Sequence, residues 1–139
     1  MSAFANATAF FNACEGLDGW AGCRQYVAEQ AVFAAQSEPL VDITQVEDYC
    51  EWMAGLGNGP LKGCGYAIHS SAWDEENRTA LFFATFNGKH TGDGGPVPAT
   101  HGETHSHYVY AITMDENDQV CAMTKIWNAP WALKELGWV

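Results

Sequence analysis

The first part of the chain repeats apolar residues at helical spacing. One segment begins at a capping serine, ends at a glycine and carries an apolar face between them: Ser2, Phe4, Ala7, Phe11, Cys14 and Gly16. A second stripe follows Asp18 and comprises Trp20, Cys23 and Val27. The apolar run 31–35 then favours a short strand. These patterns predict two helices followed by a strand.

A third helix is indicated by a T-x-x-E capping box. Thr44 and Glu47 stand three residues apart, so each side chain can satisfy a backbone amide at the start of the helix. The apolar face continues through Val46, Tyr49, Cys50 and Met53. The run 55–60 is rich in glycine and ends in proline, so we expect the helix to end there.

From about residue 63 the chain becomes rich in β-branched and aromatic residues. The pattern predicts four strands, at 63–74, 78–91, 104–114 and 119–128. Tight turns at 75–77 and 116–118 require antiparallel pairing, and 91–103 is a longer excursion between the second and third strands. A short helix is predicted at 131–136. The expected fold class is α+β, with the N-terminal helices packed on a strongly curved antiparallel sheet that encloses a pocket.

Length and charge limit the possible partners. A chain of 139 residues with 47% apolar content is sufficient for one core, so we expect a single domain over 1–139. Six Lys and Arg against 17 Asp and Glu give a net charge of −11, which repels phosphate backbones and anionic lipids. We therefore expect no nucleic-acid partner and no membrane partner. The N-terminus lacks a basic region ahead of its apolar residues, which predicts a cytoplasmic location.

The cysteines are odd in number and lack the C-x-x-C spacing of zinc or redox sites. We interpret them as reduced thiols in the core: Cys14, Cys23, Cys50, Cys64 and Cys121.

Two short motifs resemble a known superfamily. The sequence GKHTG at 88–92, followed by PAT at 98–100, resembles the G-x-H-x-G…P-x-T-G pattern of SnoaL-like polyketide cyclases. The sequence MTKIWN at 123–128 resembles the last strand of the nuclear transport factor 2-like superfamily to which these cyclases belong. The resemblance covers essentially the whole chain and implies a cone-shaped roll around a pocket. It also implies a homodimer formed through the outer face of the sheet.

The resemblance is less specific for activity, because the superfamily includes isomerases, cyclases, dehydratases and binding proteins. For the cyclases, the resemblance implies a histidine and an aspartate that act as an acid/base pair. His90 matches the histidine, but the sequence THSH at 104–107 stands where the aspartate is expected. The related ketosteroid isomerases need a carboxylate as proton shuttle, and the corresponding strand, VFAAQ at 32–36, has no aspartate.

Histidines are the first candidates for proton transfer. His90 ends a strand with an apolar face, and an imidazole there can exchange a proton at cellular pH. His105 and His107 share one strand face, with Glu103 on the same side and His101 nearby. This arrangement has the ligand types of a zinc site, but we favour histidines that line a polar cavity or the surface, and we predict no metal.

The last strand supplies a candidate cation. Lys125 and Trp127 share one face, where a desolvated ammonium can orient a carboxylate or an enolate, or simply pair with an acid. We predict His90 and His107 as the residues that handle protons, with Lys125 or Tyr108 as the group that polarises the substrate. The predicted substrate-binding residues are Tyr49, Trp52, Tyr66, Phe86, His105, Tyr108 and Trp127.

The predicted function is general acid/base catalysis without a cofactor, of the cyclase, isomerase or dehydratase type. The expected substrate is a hydrophobic carbonyl compound, since many aromatic side chains are available to line an apolar pocket. Two alternatives remain open: a non-catalytic protein that binds an aromatic or apolar metabolite, and a dimeric scaffold module. Titratable side chains that converge in the cavity distinguish catalysis from simple binding.

Overall fold

The computed structural model describes residues 2–139. The helices are α1 (Ala3–Glu15), α2 (Gly19–Cys23), α3 (Val46–Asn58) and α4 (Ala129–Leu136). The strands are β1 (Val27–Ala35), β2 (Gly65–Asp74), β3 (Thr79–Lys89), β4 (Glu103–Met114) and β5 (Val120–Trp127). Short 3-10 turns lie at Arg24–Tyr26 and Glu38–Leu40. No helix among the described residues is long and apolar enough to cross a membrane.

The five strands form one sheet in the order β1-β5-β4-β3-β2. The four strands from β2 to β5 pair antiparallel with their neighbours, as predicted, whereas β1 pairs parallel with β5. The sheet is therefore mixed rather than wholly antiparallel. The helices pack on the sheet, so the predicted α+β class and cone-like form are confirmed.

The pairing register shifts at two places in the sheet. β1 shifts against β5 between Val27 and Val32, where Gln30 adopts a left-handed conformation with φ 58°. β2 shifts against β3 between Ile68 and Ser70. An extra residue in one strand bends that strand and increases its twist, which helps the sheet to curve around the helices.

The structure corrects two helix predictions. The capping box does not form: the N-cap of α3 is Gln45, without a side-chain hydrogen bond. The segment before α3 is instead extended against β1, because the carbonyl oxygen of Thr44 accepts a 2.9 Å hydrogen bond from the Phe33 amide. The second stripe also ends earlier than predicted, since α2 stops at Cys23 and Val27 already begins β1.

The first helix agrees with its pattern. Ser2 caps α1 by accepting a 3.1 Å hydrogen bond from the Ala5 amide. Phe11 inserts between the helices and the sheet, with its ring centroid 4.7 Å from that of Phe82 and 4.8 Å from that of Tyr110. A fully buried phenylalanine stabilises a fold by roughly 1.5–3 kcal/mol, so this contact anchors α1 on the inner face.

Candidate functional site

One large cavity, of about 670 Å³, lies between α3, α4, the inner face of the sheet and the loop that follows β3. Its walls are mainly apolar. Its lining includes Trp52 and Leu56 from α3, Phe86 from β3, Tyr108 from β4, Lys125 and Trp127 from β5, Leu133 and Leu136 from α4, and Trp138. A volume of this size lies within the range of about 300–1,000 Å³ for small-molecule sites.

Lys125 places a cationic side chain in this apolar cavity. Its position on β5 directs it inward, and only 5% of the residue is exposed. The Nζ atom donates a 2.9 Å hydrogen bond to the Tyr49 hydroxyl. It also lies 4.9–5.8 Å from the ring centroids of five aromatic residues, which are Tyr49, Trp52, Tyr108, Tyr110 and Trp127. Aromatic faces attract a cation and replace part of its lost hydration.

A chain of hydrogen bonds connects Lys125 to a buried carboxylate. The Tyr49 and Tyr110 hydroxyl oxygens are 2.5 Å apart, and Tyr110 donates a 2.9 Å hydrogen bond to Oε2 of Glu15. Glu15 is 4% exposed at the end of α1. Since Lys125 donates to Tyr49 and Tyr110 donates to Glu15, the consistent arrangement has Tyr49 donating to Tyr110.

Burial shifts the pKa values of both charged groups toward their neutral forms. Desolvation lowers the pKa of Lys125, and the negative charge of Glu15 opposes that shift. Desolvation raises the pKa of Glu15, while Lys125 acts in the opposite direction. Burial also raises the pKa values of Tyr49 and Tyr110, so both phenols stay protonated and serve as hydrogen-bond carriers.

Tyr108 adds a second polar group to the cavity lining. Its hydroxyl oxygen is buried and has no hydrogen-bond partner among residues 2–139. Burial, and then the charge of Glu15, raise its pKa, so the phenol is a neutral donor. The hydroxyl also lies close enough to the Glu15 carboxylate for each group to act on the pKa of the other.

Five predicted site residues line the cavity: Trp52, Phe86, Tyr108, Lys125 and Trp127. Tyr49 lies directly behind the lining, in contact with Lys125. Tyr66 lies elsewhere, because its hydroxyl donates a 2.9 Å hydrogen bond to Asn12 on α1.

The expected placement of His105 and His107 in the cavity is wrong. Both are exposed on the outer face of β4, where the His105 Nδ1 atom lies 2.7 Å from Asn87 and the His107 ring contacts Phe83. The even-numbered residues of β4, from Thr104 onward, face inward instead. Neighbouring residues of a regular strand point to opposite faces, so His107 and Tyr108 cannot both enter the cavity.

His90 is buried next to the cavity but is not part of its lining. Its Nδ1 atom accepts hydrogen bonds from the Trp138 indole, at 2.9 Å, and from the Thr100 amide, at 3.3 Å. The ring proton therefore lies on Nε2, which faces Gly95 and has no partner among residues 2–139. β3 ends at Lys89, but His90 keeps the inward parity of Phe82 and Phe86, and its backbone pairs with Gly102 and His101, so it is buried at the end of the apolar face.

Three residues of the site were not identified from the sequence patterns: Glu15, Tyr110 and Trp138. Glu15 stands four residues after Phe11, so an acid on the apolar face of α1 was the available signal. Trp138 follows the last helix, and only the folded chain brings its indole to His90. Tyr110 shares the inward parity of Tyr108 and becomes recognisable once the inner face of β4 is known.

Solved structures of other proteins share this fold. The chain has the nuclear transport factor 2-like fold, as the resemblance predicted. AclR from Streptomyces galilaeus matches with a TM-score of 0.76 and 16% identity over 97% of this chain and 95% of that chain. A nuclear transport factor 2-like protein from Burkholderia thailandensis matches with a TM-score of 0.75 and 9% identity over 97% of both chains.

A third similar structure is that of BvnE pinacolase from Penicillium brevicompactum. It matches with a TM-score of 0.71 and 12% identity, covering 95% of this chain and 86% of that chain. No protein-family model matches the sequence, and no curated protein matches it in sequence. The likeness therefore concerns the fold.

Proposed function

We propose that the protein is an enzyme that binds a hydrophobic carbonyl compound in the cavity and transforms it by general acid/base catalysis. The observation that carries this proposal is the buried ammonium of Lys125 in an otherwise apolar cavity, hydrogen-bonded to Tyr49. BvnE, which has the same fold, is a pinacolase, so the fold accommodates enzymes.

The cavity walls favour an apolar ligand with one polar end. Trp52, Trp127 and Trp138 supply flat aromatic surface, which stacks well against a ring system. Lys125 and Tyr108 supply hydrogen-bond donors, which suit a carbonyl oxygen. The net charge of −11 does not favour a strongly anionic substrate, so we infer a neutral ketone or a related compound.

The chemistry follows from the lowered pKa of Lys125. In its neutral form the amine removes a proton from the carbon next to the carbonyl group, which produces an enolate and an ammonium. The Tyr108 hydroxyl donates a hydrogen bond to the enolate oxygen and stabilises the negative charge there. In a ketone with a C=C bond next to that carbon the enolate is a dienolate, and the ammonium returns the proton to its far carbon, which shifts the double bond and completes an isomerisation. In a diketone the enolate carbon bonds to the second carbonyl carbon, whose C=O π bond breaks, and the ammonium gives its proton to the resulting alkoxide, which completes a ring closure.

This assignment changes the predicted roles. Lys125 takes over proton transfer from His107, whose side chain is on the outer face, and Tyr108 becomes the polarising group. His90 becomes a positioning residue, because it touches Trp138 rather than the cavity space.

Hydrogen exchange at carbon tests the proposal without requiring the natural substrate. A panel of cyclic and aromatic ketones in D₂O would be followed by NMR for deuterium uptake next to the carbonyl group. We expect exchange with the unaltered protein and a loss of about 100-fold or more for Lys125→Met, as for removal of a general base. Lys89→Met, at an exposed lysine, is the matched control and should exchange normally.

Simple binding is the second candidate function. It is favoured by the aromatic rings around Lys125, which accommodate the cation without any reaction. Quenching of tryptophan fluorescence measures binding separately from exchange. Ketones that bind without exchange in the unaltered protein would establish a binder and contradict the catalytic proposal.

We also propose a homodimer formed through the outer face of the sheet. Leu81, Phe83 and Ile126 are 40–64% exposed on this face, and the pairing register places Phe83, Val109 and Ile126 in one row across β3, β4 and β5. A continuous apolar row on an open sheet is typical of an interface.

A cytoplasmic location is part of the same proposal. All five cysteines are free thiols, which suits a reducing compartment. Fractionation of cells that express the chain would check it.

A further inference from the structure

Three of the five cysteines converge where the first three helices meet. Cys14 comes from α1, Cys23 from the end of α2 and Cys50 from α3. Their Sγ atoms all lie within 4.8 Å of one another, and each residue is at most 1% exposed. We call these residues the thiol trio. The spacings of 9 and 27 residues along the sequence gave no sign of it.

We propose that the thiol trio binds a soft metal ion, and that Cu(I) is the ion its donor set selects. Two sulfurs that share one ion at about 2.3 Å in a trigonal arrangement lie about 4 Å apart. The observed spacing therefore needs only a small contraction to place all three sulfurs around a common centre.

The number and type of donors favour Cu(I) over zinc. Soft thiolates select Cu(I) and zinc, but structural zinc almost always takes four ligands. Among residues 2–139, no further histidine, cysteine or carboxylate joins the three thiols at ligand spacing. A monovalent soft ion accepts three sulfurs, and each cysteine that binds as a thiolate releases one proton to solvent.

An entry route for the ion is offered by α2, the shortest helix. It has five residues, its N-cap residue Asp18 makes no side-chain hydrogen bond, and the Trp20 amide of its first turn donates a 2.6 Å hydrogen bond to Oε1 of Glu51 on α3. Opening of this segment requires release of that hydrogen bond and would expose Cys23 without disturbing the sheet.

Competition with a chromophoric chelator provides the first test. The full, reduced chain would be titrated anaerobically with Cu(I) in the presence of bicinchoninate. We expect one Cu(I) per chain to be withdrawn from the chelator, and a loss of affinity of about 100-fold or more for Cys23→Ser. The double variant Cys64→Ser, Cys121→Ser removes the cysteines outside the trio and should bind as the unaltered chain does.

Circular dichroism of each metal-free variant shows whether it folds, and X-ray absorption gives a readout that needs no variant. The Cu(I)-loaded, unaltered chain should show three sulfur neighbours and no nitrogen or oxygen neighbour. The proposal is overturned if the chain retains no Cu(I) against bicinchoninate, if the copper has other neighbours, or if a folded Cys23→Ser variant binds equally well. None of these measurements depends on the cavity, so the proposal stands apart from the carbonyl chemistry.

Discussion

At the scale of single residues, Lys125 carries both the proposed chemistry and a cost in stability. A buried ammonium loses its hydration, and the hydrogen bond to Tyr49 and the aromatic rings restore only part of it. The lowered pKa is the measurable result of that imbalance. An amine that loses its proton more readily than an exposed lysine is also the one suited to proton transfer near neutral pH.

The pH dependence of stability follows from the same shift. The unfolded chain holds the Lys125 proton up to about pH 10.4, whereas the folded chain releases it at a lower pH. Between those values the unfolded state binds more protons, so the free energy of unfolding contributed by this group rises with pH. Below the folded pKa that contribution is absent, and above the unfolded pKa it is complete.

Urea unfolding from pH 7 to pH 10 measures this effect as a difference between the unaltered protein and Lys125→Met. We expect the difference to move in favour of the unaltered protein as pH rises, by at most about 1.4 kcal/mol per pH unit. Lys89→Met should track the unaltered protein. A difference that stays constant with pH would show that Lys125 titrates as an exposed lysine does.

Coupling between Lys125 and Glu15 supplies a second prediction. Each single variant, Lys125→Met or Glu15→Gln, leaves the other charge buried without its opposite, and breaking a buried pair costs about 3–5 kcal/mol. The double variant removes both charges, so its cost should be much smaller than the sum of the single costs. Unfolding free energies of the four proteins give the coupling energy. Additivity within about 0.5 kcal/mol would mean that the chain of tyrosines does not couple the two residues.

At the scale of elements, the strands show what a sequence pattern can establish. The positions of β2 to β5 were predicted to within a few residues, because alternation and turn residues are local signals. The inward face of β4 was not fixed by the same pattern. Histidines and tyrosines both suit a half-buried strand, so alternation alone left two opposite orientations.

Pairing between distant segments was beyond the local patterns as well. The run 31–35 indicated a strand, but its parallel partner β5 begins at Val120, 85 residues after the end of β1 at Ala35. The thiol trio and the path from Lys125 to Glu15 depend on contacts of this kind. The resemblance predicted the fold, whereas the candidate site could be recognised only from the three-dimensional arrangement of α1, α3, β4 and β5.

The loop after β3 and the C-terminal segment meet at His90, which leads to a third prediction. His90→Phe removes the acceptor of the Trp138 indole, so Trp138 should lose its fixed position in the cavity wall. We expect weaker ketone binding, seen as a raised KM or Kd, with kcat for carbon exchange little changed. His107→Ala, on the outer face, is the control and should alter neither value. A fall in kcat alone would return His90 to the catalytic role first predicted.

At the scale of the whole molecule, the inner and outer faces of the sheet have separate proposed tasks. Inward residues of β3, β4 and β5 form the cavity wall, while the outward residues on the same strands leave an apolar surface. One strand pattern thus encodes both the proposed ligand site and the proposed contact surface. Because adjacent residues alternate between the faces, a substitution on one face can be made without touching the other.

Mass measurement in solution tests the outer face. The unaltered chain should run as a dimer in light scattering coupled to size exclusion, and Phe83→Glu should run as a monomer because it places a charge in the centre of the apolar row. Val41→Glu changes an apolar residue that is more exposed than Phe83 and lies outside the sheet, so this variant should remain dimeric. The Phe83→Glu monomer should still bind ketones, since Phe83 points away from the cavity. If the Phe83→Glu monomer binds no ketone, the two faces are coupled, and the cavity requires the dimer for its shape. If the unaltered chain is itself a monomer, the apolar row is not a dimer interface and the homodimer proposal is wrong.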